Sequence, residues 1–232
     1  ISEGRQREFL LSISHELRTP LTAIRGYAEA ITDGVVPVSE ISAKGAIVQS
    51  EANRLDLLVA DLLDLARLDA VDFSVSIVPV DYAAIATAAA AVWRDRSERE
   101  GMELRLELGA SSIQGRSDPT RVRQIIDNLC ANALRVTPSP GVLVLHVSAP
   151  QPGWVKIEVR DSGPGLTPDD CRVAFEPAEL YSRYQGIRRV GTGVGLALVG
   201  RLSTRLGGTA HAGSAPEGGA CFTIYLATNL GI

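Results

Sequence analysis

Two long apolar stripes at helical spacing set the first third of this chain. Phe9, Ile13, Leu17, Leu21, Ile24, Ala28 and Ile31 recur every three or four residues, which places them on one face of one helix. Asp33-Gly34 and then Pro37 break the pattern, and Ser39 reads as the N-cap of a second helix. There Val48, Ala52, Leu55, Val59, Leu62 and Ala66 alternate steps of four and three, a heptad seam. Two such helices joined by about five residues make an antiparallel hairpin. A hairpin cannot bury both seams by itself, so a dimeric four-helix bundle is the simplest expectation.

The texture changes near residue 73. Ser74 to Val80 reads as a strand, Tyr82 to Glu100 as an alanine-rich helix ended by Gly101, and Glu103 to Leu108 as a half-buried strand. Asp118-Pro119 is a helix N-cap followed by proline at the first helical position, and this helix runs to about Val136. Val142–Val147, Val155–Asp161, Thr209–Ala212 and Ala220–Ala227 read as further strands, and Leu196–Leu206 as a helix. Residues 166–192 are turn-rich and basic, as a mobile loop would be. The expected fold class is therefore α+β: a helical hairpin over residues 1–72, then a sandwich of sheet and helices over 73–232.

Composition narrows the partners. The 232 residues carry 23 Lys and Arg against 27 Asp and Glu, a net charge of −4, which argues against a dedicated nucleic-acid binder. No apolar run reaches the roughly 18 residues that span a bilayer. Cys130, Cys171 and Cys221 are widely spaced and form no CxxC pair, as expected of reduced thiols in a cytosolic domain. The chain starts at Ile1 without a leader pattern and reads as a fragment of a longer protein.

Three segments carry chemistry. In Phe9–Ile24, His15 stands some 200° from both Ile13 and Leu17, opposite the apolar stripe and facing water. No second histidine follows at i+4, so this is not an HExxH metal site. In Asp118–Pro138, Asn128, Asn132 and Arg135 fall at i, i+4 and i+7 on one helix face, with Ile125, Ile126, Leu129 and Ala133 opposite. Taken alone, that face is polar surface or a site. Asp161-Ser-Gly-Pro-Gly165 ends a strand in a tight glycine turn. Gly191-Thr-Gly193-Val-Gly195-Leu196 opens a helix whose N–H groups suit phosphate, but it fits neither GxGxxG nor a Walker loop.

Ser14-His15-Glu16-Leu17-Arg18-Thr19-Pro20-Leu21 resembles the H-box of sensor histidine kinases. The segments around Asn132, Asp161 and Gly193 resemble, in order, their N, G1 and G2 boxes, and Phe175-Glu176-Pro177 their F-box. The resemblance covers nearly the whole chain. It implies a HisKA-type dimerisation and phosphotransfer hairpin, followed by an ATP-binding sandwich of the gyrase, chaperone, histidine kinase and mismatch-repair type. His15 would be the phospho-acceptor, Glu16 its general base, and Thr19 a positioner of water for dephosphorylating a partner. Pro20 would kink the helix just past the site. ATP would be held by Asn128, Asn132, Arg135, Asp161, Gly163, Gly165, Gly191, Gly193, Gly195 and Leu196, with Asn132 also the Mg²⁺ ligand. Among lid arginines, Arg183, Arg188 or Arg189 would reach the γ-phosphate. Ala178 replaces a common aromatic, and Val136 another. The implied partners are a second copy through the hairpin and the receiver domain of a response regulator. The implied location is the cytoplasmic portion of a membrane-anchored bacterial sensor, with membrane contact only through segments outside this chain. Two other readings stay open: an ATP-hydrolysing relative, which would need a glutamate where Asn128 stands, and a non-catalytic dimeric scaffold.

Overall fold

A computed structural model describes residues 3–68, 74–177, 179–184, 187 and 193–229. Helix α1 (Glu3–Thr32) runs through Pro20 as one helix and packs antiparallel on α2 (Ile41–Leu68). Ser39 is not a cap. It lies inside a short 3₁₀ turn, Val38–Glu40, that leads straight into α2. The α2 seam also divides. Leu58 and Leu65 are buried, whereas Val59 is 44% exposed on the neighbouring face.

The second unit holds strands β1 (Val78–Asp81), β2 (Met102–Leu108), β3 (Gln114–Ser117), β4 (Gly141–Gln151), β5 (Trp154–Asp161), β6 (Thr209–Ser214) and β7 (Ala220–Ala227). β1 and β3 pair with each other, and the others form a sheet in the order β2-β4-β5-β7-β6. Only the β2–β4 pair is parallel there. Helices α3 (Tyr82–Arg99), α4 (Pro119–Val136) and α7 (Gly195–Arg205) complete the sandwich. Val122, Ile125, Ile126, Leu129 and Ala133 of α4 are wholly buried. Trp93 Nε1 of α3 donates to Asp127 Oδ1 of α4 at 2.7 Å, which fixes the two helices against each other.

The structure also departs from the sequence expectations in the sandwich. The first strand begins at Val78 rather than Ser74, because residues 74–77 have no ladder partner. β3 is a strand that Gln114-Gly115-Arg116-Ser117 hides, having neither alternation nor β-branched residues. The segment expected as a loop contains α5 (Pro168–Val173) and α6 (Glu179–Tyr184), the first opened by a reciprocal Thr167–Asp170 capping box. The expected boundary at residues 72 and 73 lies outside the described residues. Among the described residues no helix is long and apolar enough to cross a membrane.

Asp118 ties the segment that leads into β1 to the start of α4. One carboxylate oxygen accepts from the N–H groups of Thr120 and Arg121 at 3.0 and 3.1 Å, and the other from the N–H of Ser76 at 2.9 Å. Asp118→Ala removes a cap and leaves the Ser76 N–H without this acceptor. The expected loss is about 1–2 kcal/mol in chemical denaturation. An unchanged midpoint would show that the cap contributes nothing.

Candidate functional site

Strand alternation explains a wholly buried carboxylate. Along β5, Val155, Ile157, Val159 and Asp161 all point into the core, and Asp161 is the last of that row. A buried carboxylate needs donors. Asp161 Oδ1 accepts from the N–H of Gly163 at 2.8 Å and of Ala220 at 3.1 Å. Its carbonyl accepts from Gly219 N–H at 3.0 Å. A Cβ on Gly219 would stand 2.1 Å from Asp161 Oδ1, so only glycine allows this approach. The sequence alone carries no site residue over from Gly218-Gly219-Ala220-Cys221-Phe222, whereas the structure sets Gly219 and Ala220 against Asp161.

A cavity of about 600 Å³ opens beside Asp161. Asn128, Asn132 and Arg135 of α4, Gly165 after β5, and Gly193, Gly195 and Leu196 at the start of α7 line it. Gly165 and Gly193 have φ of +70° and +69°, which L side chains rarely adopt. A Cβ on Gly195 would meet Asn128 Oδ1 at 2.7 Å, so this glycine lets α7 close on the polar face of α4. The first-turn N–H groups of α7 thus border amide and guanidinium groups, an arrangement suited to a polyanion. Gly163 takes part only through its bond to Asp161. Gly191, Arg188 and Arg189 lie outside the described residues.

Among the described residues no three His, Cys, Asp or Glu side chains converge as a metal cage. The side chains of Asn128 and Asn132 line the cavity, together with the carboxylates of Asp61, Asp127, Asp161 and Glu176. Such a set fits a hard cation that arrives carried on phosphate oxygens.

Arg183 does not line this cavity. Its Nη1 donates to Asp170 Oδ1 at 3.1 Å, while Asp170 Oδ2 accepts from Thr167 N–H and Oγ1 at 3.0 and 2.7 Å and from the Tyr184 hydroxyl. Burial opposes ionisation of Asp170, but these donors outweigh it and hold the carboxyl down at about 2. Asp170 therefore ties α6 to α5 through Arg183 and Tyr184. The thiols of Cys130, Cys171 and Cys221 are free.

On the hairpin, His15 is exposed and Thr19 Oγ1 donates to the His15 carbonyl at 3.2 Å. Glu16, one residue on, is buried and pairs with Arg54 of α2 at 3.4 Å. Arg54 itself lines the cavity, together with Leu58 and Asp61. Burial lowers the affinity of Arg135 for its proton and Arg54 adds to this, while Glu16 and Asp61 act the other way. The α1 acidic residue beside His15 and the α4 polar face thus share one electrostatic neighbourhood.

A family profile for histidine kinase-, DNA gyrase B- and HSP90-like ATPases matches residues 117–230, and one for the His Kinase A phospho-acceptor domain matches residues 5–71. Among curated proteins, the signal transduction histidine-protein kinase BaeS of Escherichia coli (strain K12) is 35% identical over 229 residues, covering 97% of this chain and 47% of that one. The chain spans under half the length of that relative. The full-length ShkA crystal structure in complex with AMPPNP matches with TM-score 0.69 and 32% identity, over 95% of this chain and 46% of that one. The histidine kinase ThkA, solved in complex with response regulator protein TrrA, matches with TM-score 0.74 over 95% of this chain and 61% of that one; at 18% identity this is a likeness of fold.

Asp61 gives the site a pH dependence. Its burial, with Asp64 adding like-charge repulsion, raises its carboxyl from 3.8 to about 6, against the Asn128 hydrogen bond and Arg135. The folded protein therefore holds this proton more tightly than the unfolded chain. The resulting stability is complete below about pH 4 and is lost as pH rises to about 6. Asp61→Asn should melt a few degrees above wild type near pH 7.5 and equal to it near pH 4. Parallel melting profiles for the two proteins would refute this.

Proposed function

The chain belongs to the sensor histidine kinases, and on that premise we propose that it transfers the γ-phosphoryl group of ATP to His15 and then to an aspartate of a response-regulator receiver domain. The observation that carries this reading is the convergence of α4, the end of β5 and the start of α7 on one cavity walled by α2, whose Arg54 also pairs with Glu16 of α1.

Asp161 accepts from the exocyclic amino group of adenine, its orientation fixed beforehand by Gly163 and Ala220. Gly165, Gly193, Gly195 and Leu196 bring backbone close to the nucleotide, and Asn128 and Arg135 face its phosphates. Asn132 holds Mg²⁺, which when bound neutralises phosphate charge. A neutral ring nitrogen of His15 attacks the γ-phosphorus. The N–P bond forms as the bond from phosphorus to the bridging oxygen of ADP breaks, and the imidazole proton passes to Glu16. Thr19, anchored on the His15 carbonyl, orients the water that dephosphorylates the regulator. Arg188 or Arg189 supplies positive charge at the γ-phosphate, since Arg183 is engaged by Asp170. The likeness to a kinase solved with its response regulator supports a receiver domain as partner, and the phospho-acceptor domain match supports a homodimer through the hairpin.

Incubation with γ-labelled ATP should give an acid-labile, alkali-stable phosphoprotein. His15→Gln should abolish the label. Asn132→Ala should lower its rate by about a hundredfold while the helical content stays the same. ATP turnover without labelling would replace this reading with a hydrolase, and receiver binding without either would leave a scaffold.

A further inference from the structure

The nucleotide domain and the hairpin meet through contacts that the kinase reading does not use. Asp64, on α2, accepts at Oδ2 from Gln124 Nε2 at 2.7 Å and from Arg121 Nη1 at 3.0 Å, both on α4. Arg121 Nη1 also donates to Gln124 Oε1 at 2.8 Å, which closes a three-residue network. The side chains of Arg121 and Asp64 are only 22% and 17% exposed. A pair so shielded is worth more than an ion pair in open solvent. Below it, Leu65 and Leu68 of α2 are buried, and Arg205 of α7 donates to the Leu68 carbonyl.

Both ends of the connection are thereby pinned. Leu68 is held by Arg205, and Ser76 by Asp118. A connection this short, fixed at either end, keeps α4 beside its own α2 at a high effective concentration. A second copy of the hairpin would have to displace it. In this seat the cavity is walled by the chain's own Arg54 and Asp61, and Arg54 pairs with the Glu16 that follows His15.

We propose that Asp64 is a positioning residue that seats the nucleotide domain on the hairpin of its own chain, so that each chain phosphorylates its own His15. This rests on the kinase reading, but its test separates the two. Wild-type labelling decides the kinase reading, and the variants decide the seat.

Charge reversal supplies the test. Asp64→Arg or Arg121→Asp alone should lower the labelling rate about tenfold, because an ion pair becomes a repulsion. Binding of a fluorescent ATP analogue should stay unchanged, which distinguishes seating from damage to the nucleotide site. Asp64→Arg and Arg121→Asp in one chain should restore most of the rate. The same two substitutions divided between the chains of a doubly tagged, co-purified dimer should not, since each chain then holds two like charges. Recovery in the divided dimer would overturn the proposal, as would unchanged labelling in the single variants or no recovery in the doubly substituted chain. A second dimer gives an independent answer. His15→Gln in one chain with Asn132→Ala in the other should carry almost no label, and strong labelling would show transfer between chains.

Discussion

The burial of one face of α4 governs the rest of the structure. Val122, Ile125, Ile126, Leu129 and Ala133 lie wholly inside the sandwich. Each larger side chain among them contributes on the order of 1.5–3 kcal/mol when buried, so no rotation of the helix about its axis competes. With that face fixed, Asn128, Asn132 and Arg135 have one direction left, into the cavity between β5, α7 and α2. The Asp118 cap sets where the helix starts and so fixes its axial register. A site of amides and a guanidinium is thereby positioned by hydrocarbon.

The same logic shows what was legible in the sequence. Helical periodicity and an Asp-Pro start gave α4 almost to the residue, because cap and apolar stripe agree. The inward row Val155, Ile157, Val159, Asp161 could be read from alternation alone, and the structure buries all four. The short strands were harder. β3 contains a glycine and three polar residues, and it exists because β1 supplies its ladder partner, a fact of tertiary structure. Ser39 looked like a cap, yet the chain reaches α2 through a 3₁₀ turn that needs no side-chain oxygen.

The site was only partly legible for a related reason. Boxes on the second unit announce themselves by residue type, but Arg54 and Asp61 lie in an ordinary-looking helical stretch and become cavity wall through docking between units. Nothing in the local pattern distinguishes them from solvated charges. Asp170 is similar. Its capping role with Thr167 is local, whereas its hold on Arg183 and Tyr184 depends on how α5 and α6 fold together. Arg183 thus anchors a segment where sequence alone suggested a phosphate contact.

Helix α2 has to serve two surfaces, and its sequence separates them. Leu58 and Leu65 are buried, but Val59 and Leu63 remain 44% and 52% exposed. Adjacent residues on a helix diverge by about 100°, so a stripe through 58 and 65 and one through 59 and 66 face different neighbours. The heptad seam read from the sequence belongs chiefly to the second stripe. Docking against α4 and α7 therefore leaves apolar surface for a second hairpin. The two contacts differ in character. The outward stripe is almost purely aliphatic, whereas the docking stripe is flanked by Asp61 and Asp64, which meet the polar groups of α4. Aliphatic packing tolerates small shifts, but a carboxylate shared between Arg121 and Gln124 does not. The hairpin can thus hold its partner while the geometry of the nucleotide domain is set by a few polar contacts at one end of α2.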